Sequence, residues 1–105
     1  MEYNDLKEAT DSYVEKCRLL DASLKKELQA LRALKEAERV IHLENFKKVL
    51  EGNLSNAMYA AIVKDGTFEE NLNWKTATME RKMAQNSEHA YKEKLNSKKK
   101  EISIN

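Results

Sequence analysis

Residues 6–34, LKEATDSYVEKCRLLDASLKKELQALRAL, decide the fold of this chain. Side chains that suit a helix interface recur in this stretch at spacings of three and four, which is the heptad seam of a coiled-coil helix. The seam positions are Leu6, Thr10, Tyr13, Cys17, Leu20, Leu24, Leu31 and Leu34. The pattern predicts one long N-terminal helix that begins near Leu6, behind a capping box formed by Asp5 and Glu8.

Strong helix breakers are rare in the rest of the chain. The 105 residues include no proline and only two glycines, Gly52 and Gly66. Gly52 can take the left-handed conformation that closes a helix, and Asn53 or Ser55 can cap the next one. We therefore expect a short second helix over about 54–64, followed by a turn at Gly66.

A third helix is predicted after this turn. Thr67 and Glu70 have the spacing of a second capping box, so we expect the helix to run from Phe68 to about Leu95. Three consecutive lysines repel one another just beyond that point, within residues 98–105. The sequence predicts that this last segment is a basic, disordered tail.

These elements predict an all-α protein, an elongated helical hairpin or bundle with a coiled-coil-like seam. The length of 105 residues favours a single helical domain, which we assign to residues 1–97 with a tail over 98–105. A continuous first helix would be about 70 Å long, too long to be covered by its own chain. Either it breaks near residues 21–23 to give a four-helix bundle, or its seam packs on another polypeptide. The lack of a breaker favours the second alternative, and hence a homo-oligomer.

Net charge and hydropathy argue against a membrane protein. Nineteen basic and 18 acidic residues leave a net charge of +1, which creates no global field toward nucleic acid or anionic lipid. The longest apolar run covers only residues 57–63, whereas about 20 residues are needed to span a bilayer. The polar N-terminus and a single cysteine, Cys17, predict a soluble, cytoplasmic protein.

Side chains that could serve in catalysis or bind a metal ion are few and far apart in the predicted helices. Cys17 and His42 would lie about 37 Å apart on one helix, and Cys17 belongs to the seam, where a small buried hydrophobe is expected. His42 with Glu38, and His89 with Glu93, have an i,i+4 spacing that zinc could use, but pairs of solvated side chains explain the same spacing. We predict no enzymatic activity, no cofactor and no metal.

Helix 3 carries two apolar stripes on different faces. The first stripe consists of Phe68, Leu72, Met79, Met83 and Ala90, and the second of Trp74, Ala77, Ala84, Tyr91 and Leu95. Either the helix is central in a bundle, or one stripe covers helix 1 while the other meets a partner, with Trp74 and Tyr91 as anchors.

We therefore predict a non-enzymatic module for protein–protein interaction, acting as an adaptor or an inhibitor. One specialised form would be a phage or mobile-element protein that occludes a host protein. The predicted interface consists of Trp74, Arg81 and Tyr91 on helix 3 and Leu6, Tyr13, Leu20 and Leu24 on the seam.

Two further patterns concern the packing partners. After Ile41 the apolar phase rotates to a new stripe that includes Leu43, Phe46 and Leu50, and such a phase change marks a change of packing partner. We also expect helix 2 to bury Met58, Ile62 and Val63 against the ends of helices 1 and 3.

The alternative function is nucleic-acid binding by the basic part of helix 3. Lysine ammonium groups hold phosphates, and a nearby aromatic ring can stack a base. The residues predicted for this role are Lys75, Arg81, Lys82, Lys92, Lys94, Lys98, Lys99 and Lys100.

Overall fold

The computed structural model of the protein describes residues 3–104, and three helices account for almost all of them. Helix α1 spans Tyr3–Leu50, α2 spans Asn56–Gly66 and α3 spans Phe68–Ile104. The described residues contain no strand. The predicted all-α class, with a long first helix and a short middle one, is confirmed.

Helix α1 is continuous over its 48 residues. The Ser23 hydroxyl, which could have capped a break, instead donates a hydrogen bond to the carbonyl oxygen of Leu19 at 3.0 Å. The Asp21 carboxylate pairs with the Lys25 ammonium at 3.0 Å. The helix starts at Tyr3, so Asp5 lies in its first turn and not at its cap, and the predicted start near Leu6 is too late.

Helix α1 ends in a Schellman motif centred on Gly52. The amide of Gly52 donates to the carbonyl of Val49 at 3.1 Å, and the amide of Asn53 donates to the carbonyl of Lys48 at 2.9 Å. This pair of bonds requires a left-handed residue, and Gly52 has φ +72°. The predicted helix end is confirmed.

Replacing Gly52 by alanine should lower the free energy of unfolding by about 1–2 kcal/mol, the cost of a Cβ in the left-handed region. Open space surrounds a Cβ at this position, so the backbone conformation alone sets the cost. Urea denaturation followed by circular dichroism measures it. The matched control is Gly52→Asn, which tolerates this conformation and should cost less. Equal stability of wild type and Gly52→Ala would contradict the assignment.

Helix α2 starts and ends two residues later than predicted, and Ser55, one of the two predicted caps, lies at its N-terminus. The Ser55 hydroxyl caps it by accepting a hydrogen bond from the Met58 amide at 3.1 Å. Gly66 is the last residue of the helix and the turn falls at Thr67, one residue after the predicted position. A Cβ on Gly66 would come too close to the end of the Ile41 side chain, which would have to shift. Met58 and Ile62 are 57% and 37% exposed, so their predicted burial is wrong.

Thr67 joins α2 to α3 and is 3% exposed. Its hydroxyl donates to the carbonyl of Val63 at 2.7 Å, which closes α2. Its own carbonyl accepts from the amide of Asn71 at 2.8 Å in the first turn of α3. The predicted start of α3 at Phe68 is confirmed. The predicted capping box would have the Thr67 hydroxyl accept a hydrogen bond from the first turn of α3, whereas this hydroxyl donates to α2.

Helix α3 extends to Ile104, beyond the predicted end near Leu95. Lys98–Lys100 are helical, although the sequence predicted a disordered tail there. The division of the chain into a domain of 1–97 and a tail of 98–105 stays a prediction.

The chain forms two compact units, each with a thin core. Unit 1 comprises the described parts of Met1–Lys25 and Thr78–Asn105, and its buried apolar residue is Leu95. Unit 2 comprises Lys26–Ala77 and buries Leu34, Leu54, Thr67 and Ala77. In the described part of the chain, these five are the buried side chains.

Candidate protein interface

The N-terminal seam of α1 is partly covered by the chain itself. Leu6, Tyr13 and Leu20 are half-buried in unit 1, and Leu24 is 45% exposed. The Tyr13 hydroxyl donates to Oε1 of Glu88 at 3.0 Å, which ties α1 to α3. Self-association along this seam stays a prediction, but less of the seam is open to a partner than an isolated helix would offer.

The neighbours of Tyr13 change the pKa of its phenol. Hydrogen bonds to Cys17 and to the Glu88 carboxylate raise the pKa of the Tyr13 phenol above its ordinary value of 10.0. Because the pKa is raised in the folded state, the stabilisation is fully present below pH 10 and is lost as the pH rises toward the folded pKa.

The free energy of unfolding should therefore fall more steeply above pH 10.0 in the wild type than in Tyr13→Phe. Urea denaturation at a series of alkaline pH values measures the two slopes. The two proteins differ only at residue 13, so the difference between the slopes reports on Tyr13. Parallel slopes would contradict the raised pKa. Glu88→Gln serves as the control and should reduce the difference.

The two apolar stripes of α3 differ in how far their side chains are exposed. On the second stripe Ala77 and Leu95 are buried, and Trp74 and Tyr91 are half-buried. On the first stripe the four large side chains are exposed, namely Phe68 (67%) and Leu72 (52%) in unit 2 and Met79 (66%) and Met83 (69%) in unit 1. The second stripe is therefore the packed one, and the role of Trp74 and Tyr91 as partner anchors stays a prediction.

The remaining predicted interface residues on α3 contact their own chain. The ammonium groups of Lys16 and Lys94 lie 4.9 Å and 5.8 Å from the ring centroid of Tyr91, both within cation–π range. Arg81 donates to the Gln85 side chain at 2.9 Å. Part of the Tyr91 surface is thus used inside unit 1.

Most of the basic residues predicted to bind nucleic acid lie on one side of α3. Six of the eight predicted contacts are exposed, whereas Arg81 and Lys98 are half-buried. At about 100° per residue, all of them except Lys94 and Lys98 fall within about 120° of the helix circumference. A phosphate backbone is best held by a row of cations on one face. Nucleic-acid binding stays a prediction.

Unit 2 exposes an apolar patch that the predicted interface did not include. Leu43, Phe46 and Leu50 have i, i+3 and i+7 spacing on α1 and are 62%, 57% and 75% exposed. A groove of about 240 Å³ lies beside them. It is lined by His42, Phe46, Val49, Leu50 and Tyr59. We call these residues, together with Leu43, the apolar patch.

The Schellman motif creates the groove by turning the chain back. After Gly52 the chain enters α2, and the ring of Tyr59 comes to lie 5.2 Å from that of His42, tilted by 44°. In the sequence, this patch was signalled by the rotation of the apolar stripe to a new helix face after Ile41. This rotation showed that Leu43, Phe46 and Leu50 leave the seam, but not whether another helix covers them.

Groups that could support chemistry are dispersed. Among residues 3–104, no three His, Cys, Asp or Glu side chains lie close enough together to hold a metal ion. His89 is exposed and lies 3.3 Å from Glu93, measured from Nε2 to Oε1. Cys17 is a half-buried free thiol on the seam. The arrangement of the apolar patch is suited to binding an apolar surface.

No helix in the described range is long and apolar enough to cross a membrane. Comparisons with models of protein families, with curated proteins and with solved structures found no match. The function proposed below therefore rests on the residues of the chain and their geometry.

Proposed function

We propose that this protein is a non-enzymatic helical module that binds another protein chain through the apolar patch of unit 2. Acting as an adaptor or an inhibitor, it would cover an apolar surface on its target. The observation that carries the proposal is the exposure of Leu43, Phe46 and Leu50, 62%, 57% and 75% respectively, beside an apolar groove.

The form of the patch supports this proposal. Exposed apolar side chains are common singly, but a contiguous group beside a concave surface is typical of an interaction site. The i, i+3, i+7 spacing presents the three side chains of α1 on one face, as in helices that dock on another helix. Phe46 and Tyr59 supply aromatic surface, which is enriched at binding hot spots.

Two charge substitutions in the patch should abolish target binding. Phe46→Asp/Leu50→Asp places carboxylates where an apolar partner would seat, so affinity should fall by at least about 30-fold, the size of a hot-spot effect. The measurement is capture of proteins from the source cells by immobilised wild type and variant. Titration with each purified captured protein then follows.

The matched control is Met79→Asp/Met83→Asp, which makes the same chemical change at two exposed apolar residues of unit 1. Circular dichroism should show all three proteins folded, because the substituted side chains are more than half exposed. The proposal fails if the patch variant keeps every wild-type partner, or if the control loses them to the same extent.

A further inference from the structure

We infer that the apolar patch binds a second copy of this chain, so that two units 2 pair face to face. The inference rests on the proposed function, because it names an occupant of the same surface. The pairing is isologous, which means that the same patch contributes from both copies.

The first support is the imbalance between core and surface in unit 2. The unit buries three apolar side chains, Leu34, Leu54 and Ala77. Nine large apolar side chains of the same unit are exposed, namely Leu28, Val40, Leu43, Phe46, Leu50, Met58, Ile62, Phe68 and Leu72. A unit this small with so little core usually gains the missing burial from disulfides, metals or oligomerisation. The lone Cys17 lies outside unit 2, and pairing supplies the third route.

The second support is charge. Unit 2 has no net charge, so two copies of it do not repel each other. Its basic residues are Lys26, Arg32, Lys35, Arg39, Lys47, Lys48, Lys64 and Lys75. Its acidic residues are Glu27, Glu36, Glu38, Glu44, Glu51, Asp65, Glu69 and Glu70. The eight charges of each sign cancel, so two units meet without net repulsion, whereas a strongly charged unit would favour a partner of opposite sign.

Two exposed ion pairs of α1 in the same unit also carry charges of both signs. Lys47 and Glu51 form an exposed pair at 3.9 Å, and Arg39 and Glu36 form another at 2.7 Å. Each pair offers one charge of each sign to an incoming copy. Exposed charges of this kind contribute to register and specificity more than to affinity.

The third support is area. An aromatic side chain buries about 150–250 Å², so the exposed 57% of Phe46 offers on the order of 100 Å². Leu43 and Leu50 are exposed to larger fractions, 62% and 75%. A standard interface takes about 800 Å² from each partner, of which about 60% is apolar. These three side chains therefore supply a substantial part of the apolar share that a stable dimer needs.

Sedimentation equilibrium of the purified full-length protein over ~1–100 µM tests the pairing. We expect the wild type and Met79→Asp/Met83→Asp to form dimers, and Phe46→Asp/Leu50→Asp to dissociate with a dimer Kd raised at least about 30-fold. A monomeric wild type across this range, or a patch variant that stays dimeric, would overturn the inference.

Crosslinking tests the isologous arrangement separately. In a Cys17→Ser background, Lys47→Cys places a thiol on the rim of the patch, and a short bismaleimide should join it to its own copy. Lys92→Cys, an exposed position of unit 1, should stay unlinked. A dimer that links through Lys92→Cys and not through Lys47→Cys overturns the pairing of patches.

The two proposals fail in different ways. If a monomeric wild type captures another protein and the patch variant does not, the pairing is wrong and the proposed function stands. If the patch variant matches the wild type in both self-association and capture, both are wrong.

Discussion

Leu34→Ala should lower the free energy of unfolding by about 2–5 kcal/mol, the range for truncating a buried leucine. Leu34 is 4% exposed, the lowest value for an apolar side chain in the described part of the chain. Few other buried side chains support unit 2, so this loss is a large share of the total stability of a small domain. Urea denaturation followed by circular dichroism measures the change.

The matched control is Leu28→Ala, six residues earlier on the same helix. Leu28 is 46% exposed and lies outside the apolar patch, so its truncation removes fewer contacts and leaves no cavity. We expect a cost of about 1 kcal/mol or less. Equal costs at Leu34 and Leu28 would show that unit 2 is packed differently.

Leu95→Asp should unfold unit 1 and leave much of unit 2 protected. Leu95 is 6% exposed and is the buried apolar residue of unit 1, so an aspartate there would bury a carboxylate without a partner. Amide hydrogen exchange should show protection lost in 3–25 and 78–104 and retained in much of 26–77.

Met83→Asp provides the comparison, since Met83 is 69% exposed on the same helix and in the same unit. It should leave protection in both units nearly unchanged. A uniform loss of protection over the whole chain in Leu95→Asp would indicate that the two units unfold as one cooperative structure.

Local rules predicted the end of α1, the cap of α2 and the start of α3. Gly52 adopts the left-handed conformation and Ser55 caps α2, because both act through neighbouring backbone groups that the sequence specifies. Phe68 begins α3 as expected. Residues 21–23 stay helical since no glycine or proline interrupts them, and the Ser23 hydroxyl bonds to the carbonyl of Leu19 within the helix instead of capping a new one.

Two errors concern residues that can serve more than one role. Gly66 was read as the turn, yet it is the last residue of α2 and lies against the side chain of Ile41. Thr67 was read as the cap of α3, yet its hydroxyl closes α2. Spacing alone could not distinguish these uses, because both residue types serve turns, caps and close contacts.

The candidate site was also predicted only in part from the sequence. The phase change after Ile41 marked Leu43, Phe46 and Leu50 as a separate stripe. The groove beside them depends on the contact between His42 and Tyr59, which forms only when α2 folds back on α1. The interface predicted at Trp74 and Tyr91 remains untested, and both lie on the packed stripe.

By itself, the sequence determined that this protein is all-α, with a long first helix, a short middle helix and a third helix after it. Helix propensity, breakers and caps act over a few residues, so they can be read directly from neighbouring positions. Only the tertiary structure decided which apolar stripes are covered. The stripes of Trp74 and Met83 are both apolar, and their different exposure follows from which one faces a neighbouring helix, a matter of long-range packing.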